Sequence, residues 1–128
     1  MTRILIVANE GSVAMELSWT VEDAGFFVVG PERSVASAVE TLVRCKADLA
    51  LLAVGLHPET VLPAARTLAA RALPFIFVTG PSIAPSLPWL PAEYRSRPMV
   101  SRPCEGPALT ALIKRTLAEA SRSGAGRT

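Results

Sequence analysis

Five short apolar runs punctuate the chain: Ile4–Val7, Phe26–Val29, Leu49–Val54, Phe75–Thr79 and Met99–Ser101. None alternates apolar with polar residues, which suits strands buried on both faces, as in a parallel sheet. The stretches between them carry helical periodicity. After a capping Ser12, Val13, Ala14, Leu17, Val21 and Ala24 form one stripe, and Gly25 supplies a C-terminal stop. Ser34 caps a second helix with Val35, Val39, Leu42 and Val43 inward. Glu59–Arg71 reads as a third helix with Val61, Ala65 and Leu68 inward, and Pro63 is tolerated in its first turn. Pro81, Pro85, Pro88 and Pro91 exclude a long helix before the fifth strand and predict a loop with one short helix near Ala92–Arg95. Glu105–Ser121 is the last helix, with Leu109, Leu112, Ile113 and Leu117 inward.

The order is strand then helix, five times over. That alternation predicts a doubly wound α/β domain, a five-stranded parallel sheet covered by helices on both faces. The domain spans residues 1–121, and the Gly/Ser/Arg segment 122–128 is expected to be a disordered tail. Ligands of such folds sit at the carboxyl ends of the strands. Residues 8–11, 53–57, 79–82 and 101–103 are therefore where chemistry is to be sought.

Composition narrows the classes. The 128 residues suit one domain, and a chain 50% hydrophobic and 19% charged can build a core without a metal or disulfide staple. A net charge of +2 is too mild to imply nucleic acid. Cys45 and Cys104 form no CxxC pair and read as reduced thiols. No signal-peptide pattern opens the chain, and its apolar runs are shorter than the roughly 20 residues a membrane helix needs. A soluble, cytoplasmic protein is expected, with no membrane partner.

At the carboxyl ends of the strands the chain resembles the receiver domain of bacterial two-component response regulators. The resemblance covers roughly Arg3 to Ala120. It rests on Ile4-Leu-Ile-Val-Ala-Asn9 at the first strand, Ala47-Asp-Leu-Ala-Leu-Leu-Ala53 at the third, Thr79-Gly80 at the fourth and Arg102-Pro103 at the fifth. It implies a flavodoxin-like sheet of order 2-1-3-4-5. It also implies a pocket in which an aspartate at the end of the third strand takes a phosphoryl group. A magnesium ion held by carboxylates, a lysine and a hydroxyl would steady the transferring oxygens there.

The chemical residues depart from that pattern. Ala53 stands at the acceptor position and has no nucleophile. The nearest upstream acid, Asp48, lies at the other end of the strand, about 16 Å away at about 3.3 Å per residue. Ala8-Asn9 occupies the place of the paired acids, and Glu10 is the carboxylate next door. Magnesium binding is expected to be weak or absent, and no other cofactor is implied. Arg102 replaces the lysine, with a planar and larger cation, and is expected either to pair with Glu10 or to be solvated. Thr79 is expected to hydrogen-bond locally, and the resemblance implies a cis bond before Pro103. The aromatic switch of the family is missing, because Met99 and Val100 stand in its place.

These departures point to a phosphorylation-independent signalling domain that works by protein–protein interaction and is not an enzyme. Its partner would be a histidine kinase, an output protein or a second copy of the chain. In the family the fourth helix, fifth strand and fifth helix carry output. Here a Pro-rich segment with Trp89, Leu90 and Tyr94 replaces that helix and is the candidate interface. Two other readings stay open: a phosphorelay receiver with an atypical acceptor, Glu10 or His57, or a binder of small anions or nucleotides in the emptied pocket. The chain lacks GxGxxG and GxxxxGK[ST] motifs, and His57 is more simply a loop residue before Pro58. Trp19 lies off the inward stripe of the first helix.

Overall fold

The structure is a computed structural model that describes residues 2–54, 61–80, 94, 97–101 and 106–125, with the side chains of 61 and 121–125 left aside. Nine elements are placed: β1 (Arg3–Val7), α1 (Gly11–Asp23), β2 (Phe27–Glu32), α2 (Val35–Arg44), β3 (Leu49–Val54), α3 (Val61–Ala70), β4 (Phe75–Thr79), β5 (Met99–Ser101) and α4 (Gly106–Ala125). The strands form one parallel sheet in the order β2-β1-β3-β4-β5. The apolar, non-alternating runs are buried where the sheet is covered on both sides, Leu49, Ala50, Leu51 and Leu52 on β3 and all of β4, whereas β2 and β5, at the two ends of the strand order, are only partly buried and Phe27 is 51% exposed.

The two faces of the sheet carry two cores. Leu5, Val29, Ala50, Leu52, Phe75 and Phe77 point to the side covered by α2 and α3, where they meet Ala38, Ala65 and Leu68. Ile4, Ile6, Leu51, Ile76 and Val78 point to the opposite side, against Leu17 and Val21 of α1 and Leu109 and Ile113 of α4. Period-two strand geometry divides successive residues between these layers. At the amino-terminal rim Asp48 ties β3 to β1, its carboxylate accepting from the Arg3 N–H at 2.8 Å and its own N–H donating to the Arg3 carbonyl at 2.8 Å.

Several boundaries differ from the sequence reading, each for a local reason. Helix α1 starts at Gly11 with Glu10 as its N-cap and no side-chain cap bond, so Ser12 lies inside the helix and does not cap it. The expected Gly25 stop is present, with φ +91°. Strand β2 does not end before Gly30-Pro31. It passes through them to Glu32, because the register with β1 shifts between Leu5 and Val7: Leu5 faces Val29, whereas Val7 faces Glu32. That is a β-bulge with one extra residue on β2, which makes room for a proline. Gly30 takes φ +91° there, and the Gly30–Pro31 bond is cis. Ser34 does cap α2, accepting from the Ser37 N–H at 3.1 Å. The inward anchor of α2 is Ala38, flanked by Val35 and Leu42, while Val43 points out and is 76% exposed. A small residue takes the inward position because α2 lies close to β2. The last helix runs four residues past Ser121 to Ala125, each added residue gaining one backbone bond. No described helix is long and apolar enough to cross a membrane.

Candidate functional site

The carboxyl ends of β1, β3 and β4 meet at one edge of the sheet. Val7 is in register with Leu52, and Ala53 with Val78, so Ala8 and Ala53 follow one another across β1 and β3. Both methyls belong to the layer that packs under α1 and α4; Ala8 is 2% exposed and Ala53 half-buried. The strand ends where the resemblance implies a phosphoryl site thus carry two methyl groups, which can neither attack an electrophile nor ligate a cation.

Polar groups stand at the same ends of the strands. Asn9 and Glu10 are exposed between β1 and α1. Glu10 holds the N-cap position by its backbone, its carbonyl accepting from the Ala14 N–H at 3.0 Å. A carboxylate at that end of a helix sits favourably against the helix dipole. Thr79, only 2% exposed, turns its hydroxyl to the Val100 carbonyl at 3.5 Å. The contact crosses to the neighbouring strand β5 and is at the long limit of such bonds. Among the described residues no cluster of three or more His, Cys, Asp or Glu side chains is placed to hold a metal ion.

A residue that sequence reasoning passed over braces this edge. Glu32 accepts from the Ala8 N–H through its backbone carbonyl at 2.9 Å. Its carboxylate accepts from the Thr41 hydroxyl of α2 at 2.6 Å. Glu32 therefore joins the end of β1 to the helix on the other face of the sheet. Only the bulge at Gly30-Pro31 brings it opposite Val7, and the sequence pattern carries no signal for a bulge beyond the Gly-Pro pair itself.

The remaining candidates divide. Ala8, Asn9, Glu10, Ala53 and Thr79 are brought to the same edge. Arg102, Pro103, His57, Cys104, Trp89 and Leu90 lie outside the described residues, and so does the pairing of Arg102 with Glu10. Tyr94, expected on a docking face, is instead a core residue. It is 4% exposed, with its ring centroid 6.2 Å from that of Phe75. Phe75 stacks edge-on to Phe77 at 5.4 Å, and the Arg97 guanidinium covers Phe75 at 4.5 Å. Tyrosine carries a large apolar ring, and here an aromatic cluster takes it inward. Trp19 is 60% exposed on α1, off the inward stripe as expected.

A doubly wound parallel sheet of order 2-1-3-4-5, with its polar groups gathered at the strand carboxyl ends, defines a flavodoxin-like domain. No protein-family model matches the chain, and no curated protein does. Solved structures match over nearly its whole length. SdrG from Sphingomonas melonis Fr1 is 32% identical over 94% of this chain and 96% of its own, with a TM-score of 0.68. The anti-anti-sigma factor PhyR from Bartonella quintana is 25% identical over 99% of this chain and 51% of its own, with a TM-score of 0.77. A response regulator receiver domain protein from Clostridium thermocellum shares the fold at 13% identity, over 94% of this chain and 98% of its own, with a TM-score of 0.74. The chain belongs to the response-regulator receiver family and is a two-component signalling domain.

Proposed function

We propose that this receiver domain signals without accepting a phosphoryl group, by binding a protein partner in the cytoplasm, and that it is not an enzyme. The observation that carries the reading is the pair of methyls, Ala8 and Ala53, at the ends of β1 and β3. Aspartyl phosphorylation needs a carboxylate nucleophile and a magnesium ion to neutralise the transferring oxygens. Asn9 offers one neutral oxygen and Glu10 one exposed carboxylate, whereas Mg²⁺ demands near-ideal octahedral oxygen ligation. This donor set does not fit the ion.

The partner reading draws on the resemblance to SdrG and to PhyR, the latter an anti-anti-sigma factor and hence a protein that acts on another protein. A histidine kinase or an output protein is the partner class proposed. The segment with Trp89 and Leu90 remains a candidate contact, without Tyr94, which is occupied in the core.

The test is incubation with acetyl phosphate or a phosphoryl mimic plus magnesium, followed by intact mass and thermal melting. The expected result is no adduct and no shift in the melting temperature. A phosphoryl adduct on the wild-type chain would overturn the reading, and mapping it to Glu10 or His57 would make the domain a relay with an atypical acceptor. Thermal stabilisation by a small anion or nucleotide alone would instead favour a ligand-binding pocket.

A further inference from the structure

The outer surface of the α1/α4 layer carries two features that nothing within the fold uses. Met15 and Trp19, one helical turn apart on α1, are 53% and 60% exposed, and both stand opposite the buried stripe of Val13, Leu17 and Val21. Solitary exposed apolar residues are ordinary, but a neighbouring methionine and tryptophan on one helix face form a patch of the kind that anchors interfaces. The second feature is electrostatic. Glu22 and Asp23 close α1, where the helix dipole disfavours carboxylates, and no basic residue stands in that last turn. Both are exposed, and neither carboxylate has a hydrogen bond or ion pair among the described residues. Lys114 and Arg115 of the adjoining α4 are likewise exposed and have no partner among the described residues.

The two helices touch and cover the same face of the sheet, so acids, apolar anchors and bases share one surface. Such a surface is complementary to itself. A two-fold axis that set α4 of one copy over α1 of the other would make the reciprocal contact as well. Lys114 and Arg115 of each copy would then meet Glu22 and Asp23 of its mate, with Met15 and Trp19 covered between them. We infer that the α1/α4 face is where a second copy of this chain docks, with Trp19 as the apolar anchor and the two charge pairs setting the orientation. The inference deepens the partner-binding reading above and rests on it only in treating the domain as one that acts by association. It places self-association on the helical layer of α1 and α4.

Sedimentation velocity on the unmodified chain, from low-micromolar to near-millimolar concentration, tests it. The wild type is expected to pass from monomer to dimer with concentration, and less readily in high salt. Trp19→Ser and Arg115→Glu are each expected to weaken the dimer at least about tenfold. Combining Asp23→Arg with Arg115→Glu is expected to recover it, because both charges are exchanged at both symmetry-related contacts. All these positions are exposed, and unchanged circular dichroism verifies that each variant folds; Met15→Ser replaces any that does not. A wild type that stays monomeric at the highest concentration overturns the inference, as does a dimer indifferent to Trp19→Ser and Arg115→Glu. A phosphoryl adduct in the mass experiment would sink the phosphorylation-independent reading and leave this result standing. A monomer here would leave the mass result standing.

Discussion

Truncation of Tyr94 to alanine separates a core residue from a docking residue. The ring is 4% exposed and packs against Phe75, which itself contacts Phe77 and lies beneath Arg97. An aromatic side chain buries about 150–250 Å², which at about 25 cal/mol per Å² is worth roughly 4–6 kcal/mol. Part of that area remains covered in alanine, and the cavity left behind adds a term of its own, so large-to-small aromatic substitutions cost about 3–5 kcal/mol. Against a total stability of about 5–15 kcal/mol this is a severe loss. At about 4 °C per kcal/mol for a domain of this size, the melting temperature should fall by about 12–20 °C. The backbone is also involved, since the Arg97 N–H donates to the Tyr94 carbonyl at 3.0 Å and holds the approach to β5. Tyr94→Phe keeps the ring and should stay within about 1 kcal/mol of wild type. Urea unfolding at constant m-value, followed by fluorescence and circular dichroism, reads both numbers. A Tyr94→Ala variant that loses less than about 1 kcal/mol would refute the argument, and would return Tyr94 to the surface as a contact residue.

Three further outcomes follow from the same geometry. Thr79→Val keeps shape and loses only a hydroxyl bond at the 3.5 Å limit, so its unfolding free energy should change by less than about 1 kcal/mol. Ser34→Ala removes the side-chain cap of α2 and should cost about 1 kcal/mol, visible as a lowered urea midpoint. Gly30→Ala should cost more than about 1–2 kcal/mol, because an L-residue is disfavoured at φ +91° and its Cβ would stand 2.9 Å from the Glu32 nitrogen; thermal melting checks it.

The sheet was legible because its central strands are buried on both faces, and continuous apolar runs such as Leu49–Val54 and Phe75–Thr79 leave few alternatives. What misled was punctuation and size. Gly30-Pro31 reads as a stop, yet a bulge lets the strand continue through it, and bulges depend on the partner strand's register rather than on the local residues. In α2 the eye goes to Val43, but the close approach to β2 favours Ala38, so the helix turns Val43 outward. The two methyls of the site were readable because Ala8 and Ala53 fall at strand ends whose positions the apolar runs define. Glu32 was not, since its link to Ala8 exists only once β2 has gained its extra residue. Tyr94 shows the limit of reading amphipathic side chains one at a time: an aromatic ring in a Pro-rich stretch looks like a surface anchor until Phe75 is placed beneath it.

The kink in β2 has a consequence for how copies of the domain meet. β2 is the last strand on its side of the sheet, and the outward row of backbone groups on such a strand is a template on which another chain can build. Pro31 has no N–H to give to a ladder, and a bulge at the same place bends a strand locally. Growth of the sheet past the Gly30-Pro31 end of β2 is therefore disfavoured. Association of these domains is steered from strand pairing toward the helical faces, where contact is made through side chains and can be reversed.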